Sequence, residues 1–123
     1  MELTDLQHQA RTYADYEFGL GPYYSVLGLS EEVGKINEKL RVLLRNNQGS
    51  FSNEDIVKIE ISIGDTLFWL LNMMSDLGVS IEETAALMLK KQILMKEKRD
   101  KKTLMENIND NNTQKTQVNQ TLK

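Results

Sequence analysis

Apolar residues along most of the chain recur at helical spacing. Val26, Leu29, Val33, Ile36, Leu40 and Leu43 advance by three or four positions, which predicts one long amphipathic helix from about Pro22 to about Asn46. Pro22 suits a first helical turn, where its missing N–H leaves no bond unmade. The stretch NNQGS ends that helix, with Gly49 expected in the left-handed conformation. Ser52 and Asp55 have capping-box spacing and open a helix that runs to Leu77, before Gly78. Its centre, TLFWLLNMM, is apolar nearly all round and predicts the most buried helix of the protein. Ser80 and Glu83 open another, which continues to about Arg99. Upstream, Thr4 and Gln7 predict a first helix from Thr4 to about Glu17, closed by the breaker GLGP (Gly19 to Pro22). Strand signals are weak, and no internal repeat is visible.

Beyond Lys101 the pattern fades into Asn, Gln, Thr and Lys with few apolar residues. Disorder is expected there, after at most one or two further helical turns. The expected organisation is therefore a helical domain over residues 1–100 and a polar tail over 101–123. The expected fold class is all-α, a bundle of four core helices.

Composition adjusts this picture in two ways. A chain of 123 residues fits one domain with a modest core, and 40% hydrophobic residues is lean for that purpose. A lean helical chain is expected to complete its apolar faces with a partner subunit, as a dimer or a tetramer. Charge is uneven as well. The tail from Lys101 holds four Lys against Glu106 and Asp110; removing them from totals of 15 basic and 18 acidic residues leaves 11 and 16, a net of −5. That body is not built to coat a phosphate backbone, so nucleic acid is an unlikely partner, whereas a small nucleotide needs only a few local cations. No apolar run approaches the roughly 18 residues needed to span a membrane. The opening MELTDLQHQ lacks a basic flank followed by an apolar stretch, and there is no cysteine, so a cytoplasmic location is expected.

Candidate chemistry concentrates in LGLSEEVGKINEKL (Leu27 to Leu40) and EISIGDTLFWLL (Glu60 to Leu71). Each places acidic residues and glycine inside an otherwise apolar helix. Gly34 and Gly64 each cost about 1 kcal/mol relative to alanine in a helix interior, which makes sense where another helix packs closely. Asp65 leads into an apolar run and is expected at the edge of the core, where an unpaired carboxylate is expensive. It needs a cation, a metal or several donors.

In these segments the chain resembles the MazG-like, all-α NTP pyrophosphohydrolases. That family carries two Glu three apart on one helix in a stretch like GLxxExGE, then Glu and Asp three apart on the next in ExGDxLWYL. Here LGLSEEVGK and SIGDTLFWLL align with those stretches. LTDLQHQA is similar to the family's opening helix and GVSIEETAALMLKK to its final one, so the resemblance covers about residues 4 to 99. In the family the four acids bind Mg²⁺, which neutralises the triphosphate and activates water for attack between the α and β phosphates. Carried over position by position, they correspond to Glu32, Lys35, Ser62 and Asp65. The first Glu and the last Asp are kept; the other two acids have become lysine and serine. The final helix keeps a matching Lys91 but has Met88 where the family often has Asn. Gln7 matches a polar position lining the family's pocket.

Neighbouring acids are poor substitutes. At about 100° per residue, Glu60 lies roughly 140° around the helix from Asp65, and Glu38 roughly 120° from Glu32. Glu31 is closer but sits nearest Lys35, whose ammonium repels a cation and competes for the oxygens. The resemblance, with half the acids replaced, thus implies a catalytically degenerate protein that holds a nucleotide or nucleotide-derived signal through Glu32, Lys35 and Asp65, with Lys91, Gln7, Ser62 and Asn72 as further ligand contacts. Asn72 is included because it follows Asp65 by two turns on one face. No cofactor is expected on this reading. A compact phage-encoded protein that disarms nucleotide-based host defence fits it. One alternative is an active Mg²⁺-dependent NTP pyrophosphohydrolase with metal on Glu31, Glu32 and Asp65; another is a structural helical oligomer that binds nothing.

Each feature also has a plainer explanation. Glu31 and Lys35 form an i, i+4 pair worth about 0.2–0.5 kcal/mol. Phe68 and Trp69 are most simply core residues. Tyr13, Tyr16, Tyr23 and Tyr24 cluster near the first connection, where one can stack on a base. His8 is assigned no catalytic role, and KKQILMKEKRDKK reads as a solvated helix face.

Overall fold

The structure, a computed structural model, describes residues 1–121 and is helical with no strand among them. The helices are α1 (Leu3–Thr12), α2 (Tyr23–Asn47), α3 (Asn53–Leu77) and α4 (Ile81–Thr121), with a single 3-10 turn at Phe18–Leu20. No helix of the described residues is long and apolar enough to cross a membrane.

Local signals set most boundaries. Ser52 caps α3 with a complete capping box, its Oγ accepting from the Asp55 N–H and Asp55 accepting from the Ser52 N–H. Ser80 Oγ accepts from the Glu83 N–H at the start of α4. Gly49 and Gly78 both take positive φ where the sequence places helix ends, and Gln48 joins them at φ 54°.

The first helix departs from expectation. It stops at Thr12 instead of about Glu17, and Thr4 and Gln7 do not cap it. Thr4 Oγ1 instead donates to Glu82, and Gln7 Oε1 accepts from the Ile81 N–H at 2.8 Å. Ending the helix early lets Tyr16 turn inward, where it stacks on Tyr24 at 5.1 Å between ring centroids.

Residues 1–84 form one compact unit, and α4 from Ala85 forms a second. In the first unit α2 and α3 are an antiparallel hairpin joined by a short connection, and α1 packs on α3. Antiparallel register is fixed by three contacts along the seam: Ser25 to Asp76, Gly28 to Trp69, and Lys39 to Ser62. At Gly28 any side chain would collide, since an added Cβ would lie 2.3 Å from the Trp69 ring. Gly34 and Gly64 behave differently: among the described residues of the first unit no neighbouring atom lies within 4 Å of a Cβ built there, so no other helix of that unit packs closely against them.

The fourth helix contributes its first turn to the first unit, through buried Ile81, so the core is built on three helices and that turn. Its remainder corrects the expectation of a disordered tail, because α4 continues to Thr121. After Gly78 the described chain contains neither glycine nor proline, so nothing local breaks the helix. Residues 86–118 are exposed throughout. Residues 122 and 123, the end of that expected tail, lie outside the described residues.

The apolar core is small: Tyr16, Leu43, Leu71 and Ile81 are its buried hydrophobic residues. The third helix is less enclosed than its composition predicts, for Leu67 and Leu70 remain 39% and 38% exposed. Within the first unit, much of the apolar face of α3 is left uncovered.

Candidate functional site

The seam between α2 and α3 is polar along most of its length. Ser25, Gly28, Glu32, Lys35 and Lys39 fall within about 80° of one another around α2. Ser62, Asp65, Trp69, Asn72 and Asp76 do the same on α3. Two separate polar groups result, one toward each end of the hairpin.

The first group holds Glu32, Lys35, Lys39, Ser62 and Asp65. Glu32 is buried at 8% exposure, and its Oε1 accepts from Lys35 Nζ at 3.1 Å. Its other oxygen, Oε2, is also buried and has no hydrogen-bond partner. A buried carboxylate oxygen without a donor costs about 1–3 kcal/mol or more. Lys35 Nζ lies 3.7 Å from Glu31, so the expected i, i+4 surface pair is present beside the contact with Glu32. The hydrogen bond from Lys35 to Glu32 and that carboxylate's charge raise the ammonium above its ordinary value, and Glu31 and Asp65 add to the effect. The cation therefore sits within the field of both Glu32 and Asp65.

Asp65 is exposed and makes no ion pair within 4.0 Å among the described residues. The expectation that it lies at the core edge is thus corrected: antiparallel register sets it opposite the Glu32–Lys35 turn, but the seam is open there. Ser62 is buried and accepts from Lys39 Nζ at 2.6 Å. Lys39 is a member of this group that sequence reasoning passed over. Its signal was available, because Lys39 follows Lys35 by one turn on the same face.

The second group uses Gln7 and Asn72, two of the expected ligand residues, for internal bonding. Gln7 Nε2 donates to Val79 O at 2.9 Å and Ser75 Oγ at 3.2 Å. Asn72, fully buried, donates to the carbonyls of Ala10 and Phe68 and accepts from Arg11. At the centre lies Asp76, which accepts from Arg11 at 2.7 Å, Tyr16 at 2.7 Å and Ser25 at 3.0 Å. These side chains tie α1, the first connection, α2 and α3 together. Lys91 belongs to the separate unit formed by α4 and is exposed.

The aromatic residues pack mostly on one another. Trp69 contacts Tyr16, Tyr24 and Phe68 at centroid distances of 5.7, 6.1 and 5.4 Å. Tyr13 and Tyr23 point outward, 79% and 81% exposed.

Among the described residues no group of three or more His, Cys, Asp or Glu side chains is placed to hold a metal ion. Glu31 and Glu32 both face Lys35, whose positive charge disfavours a divalent ion between them. The donor set therefore fits Mg²⁺ poorly. It suits an anion at the ammonium groups and a hydrogen-bond donor at Glu32.

No family model, no curated protein and no solved structure matches the chain. The MazG-like resemblance rests on its own motifs.

Proposed function

We propose that the protein binds a nucleotide, or a signalling molecule derived from one, and does not hydrolyse it. The observation that carries this reading is the Glu32 carboxylate, with one oxygen on the Lys35 ammonium and the other buried without a donor. A ligand hydroxyl or ring N–H that enters the seam as α2 and α3 part locally completes the second oxygen, while the phosphate pairs with ammonium in place of a metal. Lys35 stands where the family pattern has a metal-binding Glu, so the cation is supplied by the chain itself. Retention without turnover suits sequestration or sensing, including phage-encoded counter-defence.

The same reading includes self-association. Ile56, Ile63, Leu67, Leu70 and Leu77 form an exposed apolar stripe within about 80° around α3. Such a stripe on a unit with four buried hydrophobic residues is the usual mark of an oligomer face. Open space at Gly34 and Gly64 leaves room for a helix of a second copy to approach closely.

Mass spectrometry of small molecules released on denaturing the purified protein tests the binding function. A phosphate-bearing nucleoside compound is expected in near-stoichiometric amount. Pyrophosphate release from an added nucleoside triphosphate would contradict the reading.

A further inference from the structure

Beside the Glu32–Lys35 pair, at the connected end of the hairpin, α2 and α3 enclose a cleft of about 220 Å³. Val42, Leu43 and Ile59 form its apolar wall, and Lys39 and Lys58 stand at its edge. Lys39 is the informative residue. Its ammonium donates to Ser62 Oγ at 2.6 Å and to the Lys58 carbonyl at 3.3 Å, both neutral acceptors. An ammonium has three N–H groups, so one remains to be given.

The carboxylates around it are already engaged. Glu38 is held by Arg41 in a two-pronged ion pair at 2.7 and 3.1 Å. Asp55 accepts from the Ser52 backbone as a helix cap, and Glu54 pairs with Lys58 at 3.2 Å. Lys39 has no carboxylate within ion-pair range among the described residues. A half-buried cation satisfied only by neutral oxygens calls for an external anion. Lys35 lies one turn away on the same face of α2, about 6 Å along the helix axis.

We propose that this cleft is the second half of the ligand site: Lys39 and Lys35 hold the phosphate, and the Val42–Leu43–Ile59 wall receives the ring of a nucleobase. At about 220 Å³ the cleft falls below the roughly 300 Å³ at which pockets for drug-sized ligands begin, so it takes one ring system and leaves the rest of the ligand on the seam. This inference rests on the nucleotide-binding reading and adds where the base and the phosphate go.

The test uses the full chain in EDTA. Probes are inorganic phosphate, ribose 5-phosphate and the mono-, di-, tri- and cyclic phosphates of the four common nucleosides. Affinity is measured by calorimetry for the wild type, Lys35→Met, Lys39→Met and Ile59→Trp. Methyl resonances of Val42, Leu43 and Ile59 are followed in the wild type, so the result does not hang on any variant's folding. Lys39→Met is expected to weaken every phosphate-bearing probe at least tenfold. Ile59→Trp, which fills the cleft, should weaken nucleotides at least tenfold and leave ribose 5-phosphate within twofold. Nucleotides should shift the three methyl signals, and ribose 5-phosphate should not. If nucleotides bind with those methyls unmoved, and Lys35→Met abolishes binding while Lys39→Met does not, the cleft is excluded and the Glu32–Lys35 reading survives. If no probe binds the wild type, both fall.

Discussion

The Asp76 carboxylate lies 2.7 Å from the Arg11 guanidinium, with 1% of its side chain exposed to solvent. Tyr16 and Ser25 donate to its other oxygen, so one buried charge ties four segments of the chain together. Removing one partner of such a pair leaves the other charge uncompensated, which costs about 3–5 kcal/mol. Asp76→Ala should therefore lower stability in urea unfolding by that amount, most of what a small domain has. Tyr16→Phe removes one hydrogen bond and should cost about 1–2 kcal/mol. Equal stability of Asp76→Ala and wild type would show that the network is incidental.

The same network sets the limits of stability with pH. Burial pushes the Asp76 carboxyl up, but hydrogen bonds from Tyr16, Arg11 and Ser25, with the Arg11 charge, outweigh it and hold the group below its ordinary 3.8. Its contribution is complete above that value and is lost as pH falls through the lower native one. Tyr16 moves the other way, pushed up to about 12 by burial and by its bond to Asp76. Stability tied to the neutral phenol is full below about pH 10 and lost as pH rises toward 12. Absorbance titration should show a tyrosine ionising near 12 that is missing in Tyr16→Phe.

Three helix-interior glycines should separate by their surroundings. Gly28→Ala forces a methyl against the Trp69 ring, and the overpacking, about 1–3 kcal/mol, outweighs the roughly 1 kcal/mol gained in helix propensity. Gly34→Ala and Gly64→Ala meet no neighbouring atom within 4 Å among the described residues of the first unit and should keep the propensity gain in dilute protein. Chemical denaturation of the three variants gives the comparison; equal destabilisation of all three would contradict a special close approach of Trp69 to Gly28.

How much of this was legible in the sequence follows from what is local. The bounds of α2 and α3 were readable because Ser52, Asp55, Gly49 and Gly78 act on their own neighbours. The end of α1 was not, because Thr12 ends it so that Tyr16 and Arg11 can reach Asp76, 60 and 65 positions away. Gln7 and Asn72 looked like free polar groups for the same reason; their partners become visible only once α1 is laid on α3. In the candidate site, Glu32, Lys35 and Asp65 were singled out by the resemblance, and helical spacing puts Glu32 and Lys35 on one face of α2. Lys39 could be placed on the Lys35 face by spacing, but its bond to Ser62 depends on the antiparallel register and could not be read. Nor could any pattern show that one oxygen of Glu32 is buried without a donor.

Self-association should depend on the exposed stripe of α3. Sedimentation velocity is expected to find a dimer or tetramer, and Leu67→Lys with Leu70→Lys should shift it to monomer. A wild-type chain that is monomeric at every concentration would remove oligomerisation from the account.

If the site corresponds to the MazG-like pattern as proposed, two substitutions should introduce metal binding. Lys35→Glu with Ser62→Glu places four acids along the seam and should create a calorimetrically measurable Mg²⁺ or Mn²⁺ site while weakening nucleotide binding. A double variant indistinguishable from wild type in both properties would count against the placement of the site.

The central claim is that phosphate is held by lysine and not by metal. Thermal unfolding of the full chain against the nucleotide panel, in EDTA and again in Mg²⁺, measures this directly. The account predicts stabilisation that persists in EDTA, about 2.7 kcal/mol at a hundredfold excess over Kd, with no pyrophosphate released in either condition. Stabilisation that appears only with Mg²⁺ and is accompanied by pyrophosphate release would contradict it.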